Sequence, residues 1–273
     1  MTTNPLKQYF RRPALYLKLP SGGNNYAPGV IDLPENGDIP VYPMTAIDEI
    51  TARTPDALFN GTAVHDLMKS CVPAIKQPWS IYSTDLDAIL IAIKAASKGS
   101  DLEIESECPE CKETSKYGIN LSALLLNLKS GDYTKELNID ELYIKFRPLV
   151  YKEMNQINLE QFELTKLIAS AEGKSDEDKA KINQEATKKV TDLTMDILAQ
   201  TMEYVKTPIG MVTEKEFFID FLKNCDRNVF TKIRDYTTEL KEQTEMPAIP
   251  LTCVQCSHPY ETKFTLNVTD FFG

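Results

Sequence analysis

Cys108-Pro109-Glu110-Cys111 recurs as Cys253-Val254-Gln255-Cys256, so four of the six cysteines fall in two CxxC pairs separated by 141 residues, 112 to 252. Two residues between cysteines let one tight turn aim both sulfurs at a single ion. Two such turns supply the four thiolates of a closed tetrahedral Zn²⁺ site. A closed site of this kind holds structure together rather than reacting. Each pair also sits in strand-like sequence: Leu102-Glu103-Ile104-Glu105 alternates before the first, and Tyr260 to Val268, with Phe264 and Leu266 in phase, follows the second. The expectation is a zinc ribbon split by a long insertion, with Cys108, Cys111, Cys253 and Cys256 as metal ligands.

Other uses of the same cysteines weigh less. No secretory leader is evident after Met1-Thr2-Thr3-Asn4 and the remaining cysteines are scattered, which disfavours disulfides. Neither CxxC opens a helix after a strand, the setting that lowers a redox thiol's pKa. His258, two residues after Cys256, is either a substitute ligand or a turn residue of the knuckle. Cys71 and Cys225 lie among apolar neighbours and read as small core residues.

Outward from the knuckles the chain divides four ways. Ten of the sixteen prolines fall in the first 78 residues, and residues 1–60 read as an extended arm rich in proline and glycine. Within it, Leu15, Leu17 and Leu19 alternate ahead of the Ser21-Gly22-Gly23-Asn24-Asn25 turn. Residues 61–150 carry helices, the first knuckle and strands. Thr62 to Val72 ends at Pro73, and Asp85 to Ser97 bears the stripe Leu86, Ile89, Leu90, Ile93 and Ala96. Helix starts are also expected near Thr45 and at Pro55. Residues 151–245 repeat apolar residues at helical spacing, as in Ile182, Ala186, Val190, Leu193 and Ile197, and read as a helical insertion. Residues 246–273 complete the ribbon with the second knuckle and a C-terminal strand. The fold class is therefore α+β: a split four-cysteine, zinc-ribbon-like β element with a mostly helical body and a long helical insertion.

Composition limits the function. With 30 basic and 40 acidic residues the formal net charge is −10, which argues against a phosphate-binding surface, because nucleic-acid affinity comes mainly from Lys and Arg. Residues 151–245 hold 14 basic and 19 acidic residues, so no basic domain is hidden there. No apolar run approaches the roughly 18 residues of a membrane span. His65 and His258 are the only histidines and neither stands in a catalytic motif; GxSxG, HExxH, P-loop and dinucleotide fingerprints are absent. These observations point away from an enzyme.

Leu19-Pro20-Ser21-Gly22-Gly23, Ile39-Pro40-Val41-Tyr42-Pro43-Met44-Thr45-Ala46-Ile47-Asp48-Glu49, Arg53-Thr54-Pro55-Asp56-Ala57-Leu58-Phe59-Asn60-Gly61 and Cys71-Val72-Pro73-Ala74-Ile75 together carry a resemblance. In these stretches the chain resembles the baseplate hub proteins of contractile-tailed, T-even-like bacteriophages. The likeness is densest over residues 14 to 128, weaker near 143 to 168, and returns from Cys253 to Phe272. It implies a non-enzymatic structural or assembly subunit in the virion's tail baseplate, made in the bacterial host cytoplasm. The implied partners are other hub, wedge and tail tube proteins, without nucleic acid and without membrane insertion. It does not by itself imply metal; the cysteines make that case alone. The competing reading is a zinc-ribbon binding module acting on nucleic acid or host transcription machinery.

Overall fold

In a computed structural model, residues 4–54, 57 and 59–263 are described. Helix and strand are mixed along the chain, as an α+β fold requires. Residues 1–130 and 244–273 form one contact unit, and residues 131–243 form a second. The expected helix start at Pro55 and the C-terminal strand beyond Lys263 lie outside the described residues.

The N-terminal sequence packs instead of trailing. Strand β1 (Leu15–Leu17) pairs antiparallel with β2 (Ile39–Val41), in the register Leu15↔Val41 and Leu17↔Ile39. Alternation turns Leu17, Ile39 and Val41 inward, where each is at most 4% exposed, and leaves Tyr16 outside. Leu19 and Val30 are buried as well. The reading of residues 1–60 as an extended arm is therefore corrected for 15–54, because a helix supplies the apolar surface that this segment lacks alone. Helix α1 (Ala46–Ala52) begins with a capping box, in which Thr45 Oγ1 accepts from Asp48 N while Asp48 accepts from Thr45 N. Helix α2 (Thr62–Cys71) buries Ala63, Val64, Leu67, Met68 and Cys71.

The helix that collects this surface is α3 (Ser83–Lys98). Its sequence shows one apolar stripe, yet Leu86, Ala88, Ile89, Leu90, Ile91, Ala92 and Ile93 are all buried, a nearly complete circumference. Asp85, with no exposure, is satisfied from the N-terminal loop: it accepts from Ser21 N at 2.9 Å, Ser21 Oγ at 2.5 Å and Tyr26 Oη at 2.8 Å. One acidic side chain thus pins the Ser21–Tyr26 turn to the central helix.

Two hairpins finish this unit. Strands β3 (Asp101–Glu107) and β4 (Thr114–Asn120) pair from Asp101↔Asn120 to Glu107↔Thr114, followed by α4 (Leu121–Asn127), whose first turn is capped by Asn120.

In the second unit β5 (Glu136–Ile139), β6 (Leu142–Phe146), β7 (Met202–Thr207) and β8 (Gly210–Val212) form an antiparallel sheet in that order. Helices α5 (Tyr151–Ala169) and α6 (Asp176–Thr201) stand between β6 and β7, and α7 (Lys215–Asn224) and α8 (Arg227–Thr244) follow β8. Ile139, Ile144, Phe146, Met202 and Val205 on one sheet face bury against Leu198, Phe218, Leu222, Ile233 and Leu240. Residues 151–245, expected as a helical insertion, thus also contribute two strands. The strand signal there is Tyr204-Val205-Lys206-Thr207 turning through Pro208-Ile209-Gly210, too short to register against the helical spacing on either side. The ends of this unit are tied by Asp132 N donating to Gln243 Oε1 at 3.0 Å.

The remaining hairpin belongs to the first unit: β9 (Ile249–Thr252) pairs with β10 (Pro259–Thr262), in the register Thr252↔Pro259 to Ile249↔Thr262.

Candidate metal centre

Each CxxC fills the loop of one of the two hairpins, and the loops match. Residues 108–113 join β3 to β4 and residues 253–258 join β9 to β10, six residues in each case. In the first, Cys108 N donates to Glu113 O at 3.0 Å and Lys112 N to Cys108 O at 3.0 Å. In the second, Cys253 N donates to His258 O at 2.9 Å and Ser257 N to Cys253 O at 2.9 Å. The residue after each second cysteine takes the left-handed conformation, with φ of 62° at Lys112 and 58° at Ser257. The two knuckles are thus the same structure built twice from different residues.

This geometry brings together all four predicted ligands. The four Sγ atoms lie within 4.8 Å of one another and could hold a metal ion. Cys108 Sγ is 3.7 Å from Cys256 Sγ, and Cys111 Sγ is 3.6 Å from Cys253 Sγ. A tetrahedron of sulfurs about 2.3 Å from a central zinc has edges of about 3.8 Å, so the cross-hairpin spacings fit that ion. They are far too long for S–S bonds of about 2.05 Å, and the cysteines are free. Cys108 and Cys253 are buried, Cys111 is half-buried and Cys256 is exposed. Behind the sulfurs the hairpins touch through Tyr117 of β4 and Tyr260 of β10, whose rings meet edge-on at 6.3 Å.

The four sulfurs are electrostatically coupled. Backbone N–H groups of Cys256 and Gln255 draw the Cys253 thiol down to about 6. Glu113's backbone N–H acts in the same sense on Cys111, but loss of water and the three neighbouring sulfurs outweigh it and push that thiol up to about 12. Four thiolates this close repel one another, and a divalent ion at their centre removes the repulsion.

The other residues singled out in the sequence lie elsewhere. His258 closes its loop through its backbone carbonyl and is not part of the sulfur cluster. His65 stacks on Trp79 at 5.2 Å and contacts Asp66. Cys71 is fully buried, and loss of water pushes its thiol up to about 11; Cys225 is only half-buried, at the end of α7. A cleft of about 660 Å³ lies between α5, α6 and α7, but its lysines are engaged: Lys215 with Asp196 at 2.7 Å, Lys223 with Asp192 at 2.9 Å and Lys189 with Glu185 at 3.0 Å. What the sequence reading missed was the left-handed position in each knuckle, since Lys and Ser stand where glycine would have announced it.

Among comparisons with known proteins, the family model described as T4 bacteriophage base plate protein matches residues 18–273. No curated protein and no solved structure matches the chain.

Proposed function

The chain belongs to the T4 bacteriophage base plate protein family, and from that premise we propose that it is a structural or assembly subunit of the hub in a contractile tail. In this reading it is non-enzymatic and acts in the virion, against other hub, wedge and tail tube proteins. The family match over nearly the whole chain carries the proposal. Zinc bound by Cys108, Cys111, Cys253 and Cys256 would lock the two hairpins together, a structural use in keeping with four thiolates and no open coordination position. No helix among the described residues is long and apolar enough to cross a membrane. The net charge of −10 weighs against the nucleic-acid module.

The test is a density map of the intact tail of the phage that encodes this chain. Finding the subunit on the central axis is the expected result; finding it only in peripheral wedges, or not in assembled tails or their intermediates, refutes the hub assignment. Elemental analysis of the purified chain is expected to return one zinc per chain.

A further inference from the structure

The charge of the chain is not uniform. Residues 1–31 contain Lys7, Arg11, Arg12 and Lys18 and no acidic residue, a net of +4, so the remaining residues carry −10 − 4 = −14. The start of this basic stretch also exposes large apolar side chains. Leu6, Tyr9 and Phe10, on a 3₁₀ turn over Pro5–Tyr9 and its cap, are 59% to 77% exposed. Ile47 and Ile50, one helical turn apart on α1, are 74% and 69% exposed.

Arg11 joins these two groups. Its guanidinium donates to Pro43 O at 2.6 Å, Asp48 Oδ2 at 3.2 Å, and Ser70 O and Oγ at 2.8 Å each. The chain at residue 11 is thereby held against the start of α1 and the end of α2, directly after the turn and cap bearing Leu6, Tyr9 and Phe10. Lys7, Arg12 and Arg53, next to these apolar residues in the sequence, are exposed and form no ion pair among the described residues. An apolar centre with a charged rim, fixed in advance, has the anatomy of a binding surface.

We propose that this face docks a second copy of the chain, which receives it on its β3–β4 hairpin. Charge complementarity selects that occupant. Residues 101–120 hold six carboxylates and two lysines, a net of −4, which complements the exposed, unpaired Lys7, Arg12 and Arg53 of this face. Asp101, Glu103, Glu105 and Glu107 are exposed in alternation along one side of β3. Their contacts within the copy are long: Lys116 is 3.9 Å from both Glu103 and Glu105, and Lys112 is 4.0 Å from Glu107. A phosphate surface fits less well, because Arg11 is consumed inside the fold and only Lys7, Arg12 and Arg53 are left to meet it, fewer than the contacts that such binding usually takes. The two faces differ, so the contact runs head to tail and builds a ring or an open row rather than a closed pair. This inference does not depend on the hub assignment.

Sedimentation velocity of the full chain over about 1 to 100 µM, at low and high salt, tests it. We expect association that grows with concentration and weakens as salt rises. Y9S/F10S, K7E/R12E and E103K/E105K are each expected to weaken it at least about tenfold while leaving the melting temperature of the chain unchanged, since all six side chains are exposed or carry only long ion pairs. Mixing K7E/R12E with E103K/E105K should restore it, because each then meets the charge it lacks. A wild-type chain that stays monomeric at the top of the range overturns the proposal, as does a mixture that fails to reassociate. Salt-sensitive binding of the wild type to anionic vesicles or DNA that K7E/R12E removes, without self-association, would also overturn it and assign the face to phosphate.

Discussion

Cys111 Sγ lies 3.6 Å from Cys253 Sγ although 141 residues separate them in the chain. Contact across so long a loop carries an entropy cost, and a shared ion is the natural means of offsetting it.

Cys253→Ser should therefore abolish stoichiometric zinc and lower the melting temperature. Structural zinc contributes on the order of 10 kcal/mol to isolated modules, so a loss of several kcal/mol is expected here, where the hairpins also have a neighbouring core. Zinc content and thermal melting of both proteins decide it; unchanged values for both would refute the metal site.

The knuckle backbone makes a second, opposite prediction. Lys112 and Ser257 hold φ of 62° and 58°, a region costly to residues with a Cβ. Lys112→Gly and Ser257→Gly should each raise stability by about 0.5–1 kcal/mol with zinc content unchanged. A destabilised variant in denaturant titration would contradict the geometry.

Asp48 Oδ2 accepts from Thr45 N at 2.7 Å, Thr45 Oγ1 at 2.8 Å, Ser70 Oγ at 3.0 Å and Arg11 Nη1 at 3.2 Å. Loss of water opposes its ionisation, but together these donors hold the carboxyl below its ordinary value of 3.8. A depressed carboxylate stabilises the fold above its unfolded pKa, and that contribution is lost as pH falls through the folded one. Asp48→Asn should cost about 1–2 kcal/mol at neutral pH. The gap from wild type should narrow as pH drops below about 4, which urea melts at several pH values would reveal.

Phe146, 1% exposed and 5.4 Å from the Tyr236 ring, anchors the sheet of residues 131–243. Phe146→Ala should cost about 3–5 kcal/mol. Hydrogen exchange is expected to localise the lost protection to β5–β8 and α6–α8.

How far the sequence could be read depended on how local each signal was. The four-sulfur cluster was legible because a CxxC turn is decided within four residues, and the twin motif named all four cysteines. Helix α3 was legible as an element but not as the centre of its unit, since Ala88, Ile91 and Ala92 reveal their burial only when β1, β2 and α2 surround them. The N-terminal reading failed for a related reason. Proline and glycine density in residues 15–54 reports irregular backbone, whereas packing depends on a partner surface far along the chain, and Asp85 clasping Ser21 spans 64 residues. Strands β7 and β8 were missed because a nine-residue hairpin from Tyr204 to Val212 is drowned by the helical spacing of its flanks. The basic, aromatic turn before Arg11 was written in the sequence and hidden by averaging: +4 vanishes inside −10.

The two matched hairpins have one more consequence. Every path along the backbone from one knuckle to the other runs through residues 131–243, including the exposed turn at Glu172–Ser175 between α5 and α6. Once four thiolates share an ion, the peptide is no longer the only connection between the two halves of the ribbon. A protease cut in that turn would leave two pieces joined both by the β6–β7 pairing and by the shared ion, so a chelator would free the two knuckles from each other while the sheet still holds the pieces together.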